Sequence, residues 1–130
     1  PLPLYHIYAF TVNCMCMMVT GNHNVLITNP RDINGFVKEL QRWQFSAFLG
    51  LNTLFVALMA HPQFKKVDFS RLKGTNSGGT ALMSAVAERW KSLTGCTVME
   101  GYGLTETSPV VCANSARKGL ATSTRVSAAR

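Results

Sequence analysis

No apolar run in these 130 residues is long enough to span a bilayer. The longest, residues 7–19, is too short and is interrupted by Asn13. No signal peptide is visible, and no internal repeat shows. C-x-x-C pairs are absent too: Cys14 and Cys16 form a C-x-C inside apolar text, while Cys96 and Cys112 stand alone. That spacing is not that of a zinc site, so all four read as reduced cysteines packed as small hydrophobes, as in a reducing cytoplasm. Acid is scarce as well, with six Asp/Glu against 13 Lys/Arg.

The resulting formal charge of +7 is unevenly placed. Residues 1–112 hold nine Lys/Arg and all six acids, a net of +3; residues 113–130 hold Arg117, Lys118, Arg125 and Arg130, a net of +4. A basic tail attracts nucleic acid or anionic lipid. Here the charges are diluted among Ala, Ser and Thr, with no aromatic for base stacking, so no nucleic-acid partner is expected. The length suits one hydrophobic core.

Pro1 and Pro3 lack the amide hydrogen that a strand interior needs, so the opening reads as a strand exit. Residues 7–19 read as a buried helix, followed by turn chemistry at Gly21-Asn22-His23-Asn24. Val25–Thr28 then reads as a short buried strand. Asp32 is a plausible N-cap for a helix with Ile33, Phe36, Val37, Leu40 and Trp43 at helical spacing. A second strand is expected over Phe45–Leu49, then a helix capped by Asn52 and ending before Pro62. Lys65, Lys66, Asp68 and Arg71 read as a solvated loop face. Leu72–Asn76 is a further strand candidate. A helix from Ala81 to Leu93, ended by Gly95, leads to a strand at Thr97–Met99, and Val110–Cys112 is the last strand. Strands alternating with helices of about ten residues predict an α/β fold with a doubly wound, mainly parallel sheet and helices on both faces.

Chemistry concentrates in Glu100-Gly101-Tyr102-Gly103-Leu104-Thr105-Glu106-Thr107. Glycines let a backbone approach a ligand, and the aromatic between them offers a stacking face. A hydroxyl suits a phosphate oxygen, and a carboxylate is a hard ligand for Mg²⁺. Taken alone, the stretch is either a nucleotide–metal loop or an ordinary strand-exit turn. Ser77-Gly78-Gly79-Thr80 also falls at a strand end, one helix earlier. In open α/β sheets ligands bind at the carboxyl ends of strands, so the two loops should face one crevice.

Tyr102-Gly103-Leu104-Thr105-Glu106 resembles the Tyr-Gly-x-Thr-Glu motif of the adenylate-forming superfamily. Pro3-Leu4-Tyr5-His6 and Ser77-Gly78-Gly79-Thr80 match further blocks in the family's order. The connecting text, Leu26–Asp32 and Gly50–Phe55, resembles bacterial long-chain fatty-acid–CoA ligases. The resemblance implies activation of a fatty acid by ATP to acyl-AMP and its transfer to CoA. It assigns Glu106 to Mg²⁺, Thr105 to the α-phosphate and Tyr102 to the adenine, with Gly101 and Gly103 giving close approach. Gly78, Gly79 and Thr80, with Ser77 less firmly attached, become the facing wall. His6 falls beside the reacting carboxylate, where a packed histidine is the plain alternative. Phe10 falls at the gate of an acyl tunnel, where helix core is the alternative, and residues 51–59 either line that tunnel or are core.

The same resemblance implies a cytoplasmic enzyme, in possible peripheral contact with the inner membrane face. It makes residues 1–112 part of a large N-terminal AMP-binding domain, with a phosphate loop expected before residue 1 and an adenylation lysine after residue 112. The isolated chain is accordingly expected to be inactive. Residues 113–130 depart from the family and read as a disordered tail, from a shifted reading frame or a divergent loop. Rival readings are an aryl- or medium-chain acyl-CoA ligase and a non-catalytic nucleotide-binding domain.

Overall fold

A computed structural model describes residues 1–114. The first helical segment is composite: α1 (Ile7–Ala9), a π-wound stretch (Phe10–Cys16) and α2 (Met17–Val19). It is helical, as expected, but it is not buried. Only Ala9 is inaccessible, while Met15, Met18 and Val19 are exposed. The segment carries no charge, so nothing in its pattern distinguishes a core face from a solvent face. Val25–Thr28 also departs from expectation. No strand forms there, although β1 (Ala47–Gly50) is the edge of the sheet among the described residues and its outer side carries no partner strand. The segment instead lines a cleft of about 820 Å³ together with the opening residues, β1 and α3 (Ile33–Arg42).

α3 begins as its sequence dictates. Asp32 accepts a hydrogen bond from the Gly35 N–H at 3.0 Å, satisfying one of the four unpaired amides of the first turn. Phe36, Val37 and Leu40 turn one stripe to the core. After β1 comes α4 (Asn52–Ala60), and Pro62 opens a 3₁₀ turn (Pro62–Lys66) whose lysines are exposed. β2 (Gly74–Ser77) leads to α5 (Ser84–Thr94), which ends at Gly95 in the left-handed region at φ +73°. β3 (Val98–Gly103) and β4 (Val110–Ala113) complete the described chain.

The sheet order is β1-β2-β3-β4, parallel across the first three strands and antiparallel between β3 and β4. The expected α/β class and mainly parallel sheet are therefore present. The core lies between β1–β3 and the three long helices. Trp90 of α5 is its centre, with ring centroids 4.7 Å from Phe55, 5.4 Å from Phe48 and 5.6 Å from Phe64. The indole N–H donates to Thr75 Oγ1 of β2 at 3.2 Å, which satisfies a fully buried donor. Leu54, Phe55, Leu58 and Met59 are all buried in this cluster, so the apolar run of α4 is core. The tail reading for 113–130 lies outside the described residues, apart from Ala113 and Asn114. Ala113 closes β4, and the Asn114 N–H donates to the Glu100 carbonyl at 2.9 Å.

Candidate nucleotide site

Parallel pairing brings the two glycine-containing segments together. Gly50, Ser77 and Glu100 are register partners across β1, β2 and β3, so β1 and β2 end level while β3 runs on to Gly103. The Leu82 N–H donates to Glu100 Oε1 at 2.9 Å, and the Met83 N–H donates to Asn52 Oδ1 at 3.1 Å. The segment leaving β2 is thus tied to the middle of β3 on one side and to the start of α4 on the other. Asn52 was expected to cap α4; Leu51 holds the cap position without a side-chain bond, and the Asn52 amide serves the next loop instead.

Much of the 100–107 stretch is strand rather than loop. Glu100 to Gly103 belong to β3, and the chain turns only over Thr105–Thr107. Thr107 latches that turn. Its Oγ1 accepts from the Leu104 N–H at 3.0 Å and lies 2.9 Å from both the Leu104 and Pro109 carbonyls, one of which receives its proton. Ser108 at φ +59° and a cis Ser108–Pro109 bond return the chain into β4. With the backbone held by Thr107, the side chains of Thr105 and Glu106 make no hydrogen bond or ion pair among the described residues, and both residues are exposed.

The glycines differ in what they permit. A Cβ on Gly103 would overlap the Pro109 carbonyl, so the absence of a side chain there serves the tight β3–β4 return rather than a ligand. On Gly101 a Cβ would find nothing nearer than 3.9 Å, leaving that position open to an approaching molecule. Gly79 needs its freedom for a φ of +79° and faces open space. Gly78 is closed over by the ring of Tyr8. Tyr102 is 56% exposed beside these segments, so one aromatic face is available. Thr80 is exposed, whereas Ser77 is 1% exposed with its hydroxyl lacking a partner among the described residues.

The Pro3–His6 block reaches the site through Tyr8, which no sequence argument singled out. His6 is exposed rather than packed in a core, and its Nδ1 accepts from the Tyr8 N–H at 3.2 Å as the cap of α1. Burial pushes the Tyr8 phenol up to about 12, and its hydroxyl has no partner among the described residues. Phe10 is 46% exposed in the π-wound stretch and is not helix core.

The donor set suits Mg²⁺ in one specific way. Among the described residues no group of three or more His, Cys, Asp or Glu could hold a metal. Glu106 offers a single exposed carboxylate, a hard oxygen donor that would suit Mg²⁺ if ligand oxygens and water filled its other positions.

A family model described as "AMP-binding enzyme" matches residues 1–128. The chain belongs to the AMP-binding enzyme family. Similar members include a long-chain-fatty-acid–CoA ligase of Haemophilus influenzae, 55% identical over 112 residues, and one of Yersinia pestis, 54% identical over 113. Those alignments cover 86% and 87% of this chain but 20% of each relative, so the chain spans about a fifth of their length. The AMP-binding fold recurs in the anthranilate CoA ligase AuaEII solved with anthranoyl-AMP, at TM-score 0.81 and 24% identity over 87% of this chain and 22% of that one. The N-terminal domain of FACL13 from Mycobacterium tuberculosis gives TM-score 0.77 and 18% identity, over 87% and 28%.

Proposed function

We propose that this chain is the part of an AMP-forming long-chain fatty-acid–CoA ligase that holds ATP between the ends of β2 and β3. The observation carrying the proposal is the pairing of Ser77 with Glu100, which sets the Gly78–Thr80 segment beside Gly101–Glu106. Similarity to the two bacterial long-chain-fatty-acid–CoA ligases supports the choice of acid. In the reaction, a fatty carboxylate attacks the α-phosphate of ATP and pyrophosphate leaves; CoA thiol then displaces AMP. Tyr102 stacks on adenine, and Gly101 lets the backbone approach. Gly78, Gly79 and Thr80 form the facing wall. Thr105 donates to an α-phosphate oxygen, and Glu106 holds Mg²⁺. When bound, the metal neutralises charge on the phosphate oxygens. His6 lies toward the reacting carboxylate and Phe10 toward the entry of the acyl chain. A cytoplasmic setting with peripheral contact at the inner membrane face belongs to the same proposal and rests on the family resemblance alone. Among the described residues no helix is long and apolar enough to cross a membrane.

The test is ATP–pyrophosphate exchange by the full-length protein with carboxylic acids of graded length, beside titration of Mg-ATP. Exchange that rises toward long acyl chains and is lost in Glu106→Ala supports the proposal. Exchange restricted to aryl acids would refute the choice of substrate. ATP affinity indifferent to both Mg²⁺ and Glu106 would refute the nucleotide site.

A further inference from the structure

We infer that Glu100 is a positioning residue that sets the gap between the two walls of the nucleotide site. This inference rests on the function proposed above. Glu100 is fixed on both sides of its backbone: it pairs with Ser77 of β2, and its carbonyl accepts from the Asn114 N–H at 2.9 Å. Its side chain leaves that anchored strand and takes the Leu82 N–H at 2.9 Å. The segment it holds, residues 78–83, is otherwise held at its two ends: Gly78 lies under the Tyr8 ring with its N–H donating to the Gly50 carbonyl at 3.4 Å, and Leu82 packs against the core. Gly79 faces open space at φ +79°, Thr80 and Ala81 are exposed, and the other side-chain tie is Asn52 to Met83 at its far end.

The charge of Glu100 needs an explanation, because a half-buried carboxylate near a polyphosphate site repels the ligand. Among the described residues it forms no ion pair, the one present being Arg42 with Glu39. A charge-assisted bond to a backbone amide compensates the carboxylate and is stronger than a neutral one. Its effect is to hold Gly78–Thr80 at a fixed height over β3, whose next residues are Gly101 and Tyr102. Loss of the bond frees the wall without touching a ligand atom.

The experiment compares Glu100→Ala and Glu100→Gln in the full-length protein by amide hydrogen exchange and by steady-state kinetics. In Glu100→Ala the Leu82 amide is expected to exchange about tenfold faster, and the KM for ATP to rise about tenfold while that for the fatty acid moves less than about twofold. Gln retains an acceptor oxygen but not the charge, so Glu100→Gln should restore most of the protection and most of the KM. Equal rises in the two KM values, an unchanged ATP KM in Glu100→Ala, or failure of Gln to rescue would each overturn the inference. A native protein that forms no acyl-adenylate overturns the ligase reading itself. In that event Leu82 exchange still reports whether the Glu100 bond exists.

Discussion

The ring of Tyr8 closes over Gly78: a Cβ built on that glycine would lie 3.0 Å from Cζ and 3.2 Å from Cε1 of the tyrosine. The contact joins the chain's opening motif to the segment leaving β2. Gly78→Ala forces the ring aside and is expected to cost about 1–3 kcal/mol, read from the urea midpoint. In Tyr8→Ala the space is empty, so adding Gly78→Ala to it should cost much less. Additive losses would show that the two residues do not meet.

Tyr8 also makes stability depend on pH in the alkaline range. Its folded-state value of about 12 lies above the ordinary 10.0, because burial disfavours the phenolate. The unfolded chain therefore loses its proton first. The stabilisation is fully present below pH 10 and is lost as pH rises toward 12, by on the order of 2 kcal/mol. Tyr8→Phe removes this component, so the stability difference between the native protein and Tyr8→Phe should change across that window and be flat below it. The variant also removes an unpartnered buried hydroxyl and should equal or exceed native stability at pH 7.

Thr75→Val keeps the volume of a fully buried side chain but leaves the Trp90 N–H without its acceptor, at a cost of about 1–3 kcal/mol. Thr75→Ser keeps the oxygen and should lose less than Thr75→Val in thermal unfolding. The opposite order would mean that the methyl group, not the hydrogen bond, matters at this position.

What was legible in the sequence was whatever one element decides for itself. The Asp32 cap, the apolar stripe of α3, the Gly95 stop and the alternation of strand and helix are local, and all are present. Legibility failed where a second element casts the vote. Residues 7–19 have no polar face to betray which side lacks a core, and Val25–Thr28 has strand composition but lines a cleft beside β1 without pairing to it. Asn52 has the chemistry of a cap, yet the Met83 amide claims it. Within the candidate site, the adjacency of the two glycine-containing segments followed from strand order. The tie through Glu100 did not, since it depends on which amide of the loop falls within reach.

Gly103 shows the same ambiguity at one atom, and it supplies the sharpest test. Glycine reads alike whether the backbone must approach a ligand or its own return strand. Gly103→Ala places a methyl against the Pro109 carbonyl and should cost more than about 3 kcal/mol, or detach β4, with loss of the β3–β4 ladder in amide exchange. Gly101→Ala meets nothing nearer than 3.9 Å and should leave the melting temperature unchanged or slightly raised. If nucleotide lies against Gly101, that harmless methyl should still weaken ATP binding by at least about fivefold, close to 1 kcal/mol. Native ATP affinity in Gly101→Ala would move the close approach away from β3 and leave Tyr102 as the strand's contact with adenine.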